Sequence, residues 1–170
     1  MASPALLDHT LGDPTRADRR RALRVLCGAG GIAASWIANP LGLADPLRTW
    51  PLRIRGHEIV VELADSPESR RTGLMHRRSL DESRGMLFTY DQPGLHAMWM
   101  RNTHVPLSVA FIDAGGRVIN IEDMEPLTET PHAAAAPASF SLEVNRGWFR
   151  KRGIRPGDRV EGLQALPGVR

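Results

Sequence analysis

The stretch Leu107-Ser108-Val109-Ala110-Phe111-Ile112-Asp113-Ala114-Gly115-Gly116-Arg117-Val118-Ile119-Asn120-Ile121-Glu122 decides how this 170-residue chain is read. Two runs of apolar and β-branched residues flank Ala114-Gly115-Gly116, and a glycine pair supplies the positive φ angles that a tight hairpin turn needs. Asp113 stands where its carboxylate can cap that turn. Immediately before the hairpin lies Met98-Trp99-Met100, which breaks into the polar side chains Arg101, Asn102 and Thr103. Pro106 pushes the residue before it towards an extended backbone, so a strand entering a loop is expected here. Met98 and Met100 would share one face of that strand, with Trp99 on the other.

The remaining chain repeats the same short-strand pattern. Leu, Ile and Val dominate residues 47–54 and 58–63, on either side of Arg55-Gly56-His57, which reads as a turn. Val61 and Leu63 should face opposite to Val60 and Glu62. Asp65 or Ser66 can cap a helix whose first turn holds Pro67 and Glu68, and Gly73 limits it to about two turns. Residues 86–90 have strand composition, Asp91-Gln92-Pro93-Gly94 reads as a turn, and 126–137 as a long loop. A strand over 139–144, a helical turn within 146–152 and a last strand over 158–163 complete the set. Many short strands with two small helices predict a mostly β chain: a single β-sandwich or jelly-roll-like domain, or a small barrel.

Residues 1–44 do not fit that core. Arg19-Arg20-Arg21 precedes an uncharged apolar run that ends at Gly42-Leu43-Ala44, the layout of an export signal with a small-residue cleavage site. Arg19-Arg20, followed by Arg21, Ala22, Leu23 and Arg24, is similar to a twin-arginine signal, although Asp18 stands at its first polar position. The expected organisation is a cleaved signal over 1–44 and a domain over 45–170, placing the protein in the periplasm or outside the cell. A membrane contact would come only from an uncleaved leader. That leader holds five of the 22 Lys and Arg and three of the 19 Asp and Glu, leaving 17 against 16 in the domain, or +1 in place of +3. The basic character of the whole chain is therefore no argument for nucleic-acid binding. Cys27 is the single cysteine and lies in the leader, which excludes disulfides, thiolate metal sites and a cysteine nucleophile from the domain.

Several stretches together resemble domain-of-unknown-function family 192. They are Arg70-Arg71-Thr72-Gly73-Leu74-Met75, Gly85-Met86-Leu87-Phe88, Trp99-Met100-Arg101-Asn102-Thr103 with Pro106-Leu107, Phe111-Ile112-Asp113, Leu142-Glu143 and Gly157-Asp158, in that order between about residues 58 and 163. The resemblance implies a compact, mostly β fold in small, often exported bacterial proteins, and no established reaction. Three positions depart from the family pattern: Arg101 stands for a usual Lys, Ser108 for a usual Asp, and His104 for a usual apolar residue.

The candidate ligand-binding residues are Arg101, Asn102, Thr103, Glu143, Asp113 and Arg70. A guanidinium, an amide and a hydroxyl at a strand end can bind a carboxylate, a set of sugar hydroxyls or a carbonyl. The same groups can instead cap the strand, with Glu143 pairing to Arg101 or Arg70. The reading is a binding or accessory domain of the bacterial cell envelope, monomeric, acting on a small polar ligand or an envelope component, with no cofactor and no nucleic acid. An enzyme acting on envelope carbohydrate through Asp113 and Glu143 is the first alternative, and it needs the two carboxylates within about 5–9.5 Å. A Cu(I) protein using Met75, His76, Met86, His96, Met98, Met100 and His104 is the second, although methionines more simply fill an aromatic-poor core. Arg146, Arg150, Lys151, Arg152 and Arg155 form the densest basic cluster, interleaved with Trp148 and Phe149, and read as a solvated helical turn anchored by the tryptophan.

Overall fold

The computed structural model describes residues 46–166, so the export signal expected over 1–44, with Cys27 in it, lies outside the described residues. Nine strands run in the order β1 (Thr49–Ile54), β2 (His57–Ala64), β3 (Arg84–Gly94), β4 (Ala97–Met98), β5 (Leu107–Ile112), β6 (Val118–Met124), β7 (His132–Ala133), β8 (Ala138–Asn145) and β9 (Val160–Glu161). Two short helices join them, α1 (Pro67–Thr72) and α2 (Trp148–Lys151), with a closing 3-10 turn at Leu163–Ala165. Seven strands form one sheet in the order β6-β5-β8-β3-β2-β1-β9, while β4 and β7 form a second, two-stranded sheet. The mostly β expectation holds: the large sheet curls into a half-barrel, with a short link between its two edges. Arg117 bridges to Arg159, and backbone bonds run from Val118 N to Asp158 O (2.9 Å) and from Val160 N to Gly116 O (2.8 Å).

Side-chain parity sorts the sheet into two faces. Val61, Leu63, Leu87, Ala110, Leu142 and Val144 point into the curl, where Trp148, Phe149 and Val160 join them. A side chain such as Leu142 contributes about 1.5–3 kcal/mol by leaving water completely. The alternate residues Met86, Phe88, Val109 and Phe111 point outward, beneath a second cluster that includes Leu74, Met100, Val105 and Ala134 from crossing loops. The expected facing of Val61 and Leu63 is thus correct, with Glu62 on the other face.

All pairings in the large sheet are antiparallel except β2 with β3, which is parallel. A parallel pair needs a crossover, and α1 lies in it. Ser66 caps α1 in a capping box with Ser69, Pro67 opens it and Gly73 (φ 47°) ends it, as its residue types dictate.

Three expectations are corrected. Asp91-Gln92-Pro93-Gly94 is not a turn but the end of β3, where the register to β8 slips between Thr89 and Gly94 before Gly94 pairs with Ala138. Pro93 lacks a backbone donor, and an irregular segment is where a strand tolerates that. The strand expected at Met98-Trp99-Met100 stops at Met98, and Trp99 is 51% exposed while Met100 is buried. The last strand is two residues long, because Gly162 (φ 98°) turns the chain into the 3-10 segment.

Candidate functional site

One row of the outward face carries the chemistry. Val109, Glu143, Met86 and Glu62 are cross-strand neighbours on β5, β8, β3 and β2, so Glu143 stands between two apolar side chains. It is 4% exposed, and among the described residues its carboxyl has no hydrogen bond or ion pair. No fully buried polar side-chain atom in the described residues lacks a partner, so the unpaired oxygens of Glu143 are those that keep contact with an adjoining cavity. Burial pushes the Glu143 carboxyl up to about 8, so at neutral pH it is mostly protonated and able to donate a hydrogen bond.

That cavity has a volume of about 210 Å³. Leu74, Met75, Phe88, Met98 and Trp99 make most of its wall, Thr72 and Thr103 contribute hydroxyls, and Arg70 and Arg71 bring positive charge from α1. Backbone bonds tie the wall together: His76 N to Asn102 O (2.8 Å), Met100 N to Thr128 O (2.9 Å), Leu127 N to Thr103 O (3.1 Å) and Ala134 N to His96 O (2.9 Å). Behind it, the Tyr90 hydroxyl shares a hydrogen bond with Ser141 Oγ (3.0 Å), lies 3.5 Å from Met98 Sδ, and the Tyr90 ring stacks on His96. Burial raises the Tyr90 phenol above its ordinary value.

Of the residues singled out in the sequence, the fold brings Thr103, Glu143 and Arg70 to this cavity. Arg101 and Asn102 instead form the exposed tip of a tight turn closed by Thr103 N to Met100 O (3.0 Å). Arg101 reaches Glu129 at 3.8 Å, and Asn102 sits at φ 55°, the left-handed region that Asn tolerates better than most residues. Asp113 caps the β5–β6 turn by accepting from Arg117 N (2.8 Å). The expected pairing of Glu143 with Arg70 or Arg101 does not form. Arg70 spends its Nη1 on the carbonyls of Asp65 and Thr89, and Arg101 points to the other side of its turn.

Nor do Asp113 and Glu143 make a carboxylate pair. Glu143 lies opposite Val109, and Asp113 is four residues further along, roughly 13 Å at about 3.3 Å per residue. The methionines divide in the same way: Met86 and Met100 are core, and only Met75 and Met98 reach the cavity. Among the described residues no cluster of three His, Cys, Asp or Glu side chains is arranged to hold a metal.

The Asn102 backbone angle gives a direct test of cap against ligand group. Asn102→Gly should leave stability within about 0.5 kcal/mol, while Asn102→Val should cost about 1–2 kcal/mol, since a β-branched residue resists positive φ. Urea denaturation measures both, and equal losses would show that the amide side chain, not the angle, is what the position supplies.

The family departure at Ser108 is explained by packing. Ser108 is buried; its Oγ accepts from Gly147 N (2.8 Å) and donates to Asp123, which also holds Arg150 at 3.1 Å. The Ser108–Asp123 pair thus supplies a carboxylate and a backbone acceptor there, away from the cavity. The basic cluster is likewise matched: Arg146 to Glu125 (2.6 Å), Lys151 to Glu82 (3.5 Å) and Arg152 over the Trp148 ring (4.2 Å).

A larger cavity, about 720 Å³, opens on the other side of Thr72 and Gly73 beside Glu62 and Arg77. Sequence reading missed that pair, which is bidentate at 2.6 and 2.7 Å, and the Arg77 fork holds the Glu62 carboxyl below its ordinary value. Its two charges satisfy each other, whereas the carboxyl of Glu143 is unpaired among the described residues, so the smaller cavity is the one taken as the candidate site. Phe88 and Tyr90 were also missed, and Met75 was read as a metal ligand and not as cavity wall. A lone acid inside the apolar run Phe140-Ser141-Leu142-Glu143-Val144 was the signal that marked the place.

A match to the family described as DUF192, an uncharacterized ACR, spans residues 51–162. A Sinorhizobium meliloti 1021 protein, described only as a candidate transcription regulator, has a crystal structure similar to this chain. The two share a TM-score of 0.67 and 36% identity over 69% of this chain and 95% of the other. A protein of unknown function from Novosphingobium aromaticivorans DSM 12444 is similar at a TM-score of 0.65 and 36% identity, over 70% and 89%. No curated protein matches the sequence. Since the family match takes in well over half of the chain and the folded β core with it, this protein belongs to domain-of-unknown-function family 192.

Proposed function

We propose that the domain is a small-molecule binding module of the bacterial cell envelope, with the cavity over Glu143 as its binding site. The observation that supports this most is the unpaired, 4% exposed carboxyl of Glu143 at an otherwise largely apolar cavity wall. A buried acid without a partner lowers stability, and such groups concentrate where a site needs them. The leader-like residues 1–44 support an envelope location, and cell fractionation that left the protein in the cytoplasm would remove that part of the reading. The regulator description of the Sinorhizobium protein is not carried over. Helices of six and four residues are too short to serve as a recognition helix in a major groove, and Arg146, Arg150 and Lys151 of the basic cluster are paired with acids of the same fold.

The test is a thermal-shift screen of the full-length protein against small organic acids, amines, sugars and Cu(I). A ligand at about 100 times its Kd should stabilise by roughly 2.7 kcal/mol. The same ligand should do nothing for Ala97→Trp, which places a bulky ring at an exposed position on the cavity rim. A shift that survives Ala97→Trp would put the ligand elsewhere, and no shift with any class would sink the binding reading.

A further inference from the structure

We infer that the cavity over Glu143 takes a small organic anion, its apolar body against Phe88, Met98 and Trp99, its negative group on the Arg70 and Arg71 side, and a hydrogen-bond acceptor turned to the Glu143 carboxyl. The inference rests on the binding reading above and adds the chemical class.

Charge decides the sign. Arg70 and Arg71, both on α1, are the charged side chains that line the cavity with Glu143. Arg71 is exposed and, among the described residues, has no ion-pair partner. Arg70 has only Asp91 at 3.7 Å, itself 87% exposed and solvated. From β3 comes Tyr90, a neutral phenol, and from the 97–103 segment Arg101 is turned away to Glu129. With Glu143 carrying its proton the cavity is therefore positive, and a cation would enter against two guanidinium groups. An anion meets them, and finds at Glu143 a donor in place of a repelling charge.

Size and wall chemistry decide the body. About 210 Å³ is roughly seven times the liquid volume per water molecule, room for a single ring or a short branched chain. Phe88 and Trp99 contribute aromatic surface, and Met98 a polarizable thioether. A strongly hydrated, many-hydroxyl sugar would leave most of its donors facing carbon.

The experiment is calorimetric titration of the full-length protein with benzoate, benzyl alcohol and benzylamine, which share one body and differ in charge, at pH 6 and pH 9. Benzoate should bind best at pH 6 and weaken about tenfold at pH 9, where ionised Glu143 repels it. Glu143→Gln should keep benzoate binding and lose that pH dependence. Arg71→Ala should weaken benzoate severalfold and leave benzyl alcohol unchanged. Benzylamine or benzyl alcohol binding in place of benzoate, or benzoate binding that strengthens with pH, overturns the anionic class while the binding reading stands. If none of the three binds and the thermal screen is empty, both fall; if the screen holds only amines or sugars, the anionic class alone falls.

Discussion

Glu143→Gln should raise the thermal midpoint at pH 8 by about 10 °C, roughly 2–3 kcal/mol in a domain of this size. The direction follows from proton linkage. An ordinary glutamate releases its proton near 4.5, so the unfolded chain is ionised above that value, whereas the native carboxyl holds its proton up to about 8. Between the two values the native state binds more protons than the unfolded one. Stability therefore falls as pH rises, by about 1.4 kcal/mol per unit, and levels off above the native value. The accumulated loss at pH 8 is on the order of 5 kcal/mol, of which a buried, unpaired amide forfeits about 1–3 kcal/mol again. The gain in the variant should vanish between about pH 5 and 7, where that loss equals the cost of the amide, and become a deficit near pH 4.5, where both side chains are neutral. Melting curves taken across that range decide it: a difference between variant and parent that stays constant with pH would show that Glu143 does not titrate as its burial dictates.

Trp148→Ala should cost about 3–5 kcal/mol, which is a large part of the stability of an ordinary domain. Gly147 (φ 76°) turns the chain inward after β8, and the indole enters the interior cluster at 1% exposure. There its Nε1 donates to Glu82 O (3.0 Å), Phe149 meets it edge-on at 5.4 Å between centroids, and Arg152 covers its outer face. Urea denaturation is the measurement. Trp148→Phe, which keeps the ring and loses the N–H, should fall between the two, and an alanine variant within 1 kcal/mol of the parent would mean that the interior closes without the indole.

These two residues also show how much the sequence disclosed. The β class and the helix α1 could be read because they rest on local chemistry: Gly116, which alone of the glycine pair takes a positive φ (80°) in the turn after Asp113, the Ser66 cap and the alternation of Val61 and Leu63. Thr103, Glu143 and Arg70 were named and do meet at one cavity. Arg101 and Asn102 stand next to Thr103 in sequence yet fall outside it, because one positive φ angle at Asn102 reverses the chain there. Asp113 and Glu143 looked like possible partners only while the register of β5 against β8 was unknown. Phe88 and Met75 were not read as cavity wall, because what places them there is the parallel pairing of β2 with β3, a contact between distant segments that no local pattern encodes. The link between the two sheet edges is of the same kind, made of backbone bonds between residues 116–118 and 158–160, with Gly116 (φ 80°) the position where a side chain would crowd the Val160 carbonyl.

The cavity wall over Glu143 is tied main chain to main chain, at His76 to Asn102, Met100 to Thr128, Leu127 to Thr103 and His96 to Ala134. Those bonds do not depend on which side chains stand at Ala97 or Trp99, and both are exposed. On the binding reading proposed above, ligand preference can therefore drift by substitution at these positions while the scaffold keeps its shape. Under that reading, such substitutions need no compensating stabiliser, and these positions are the place to begin altering specificity.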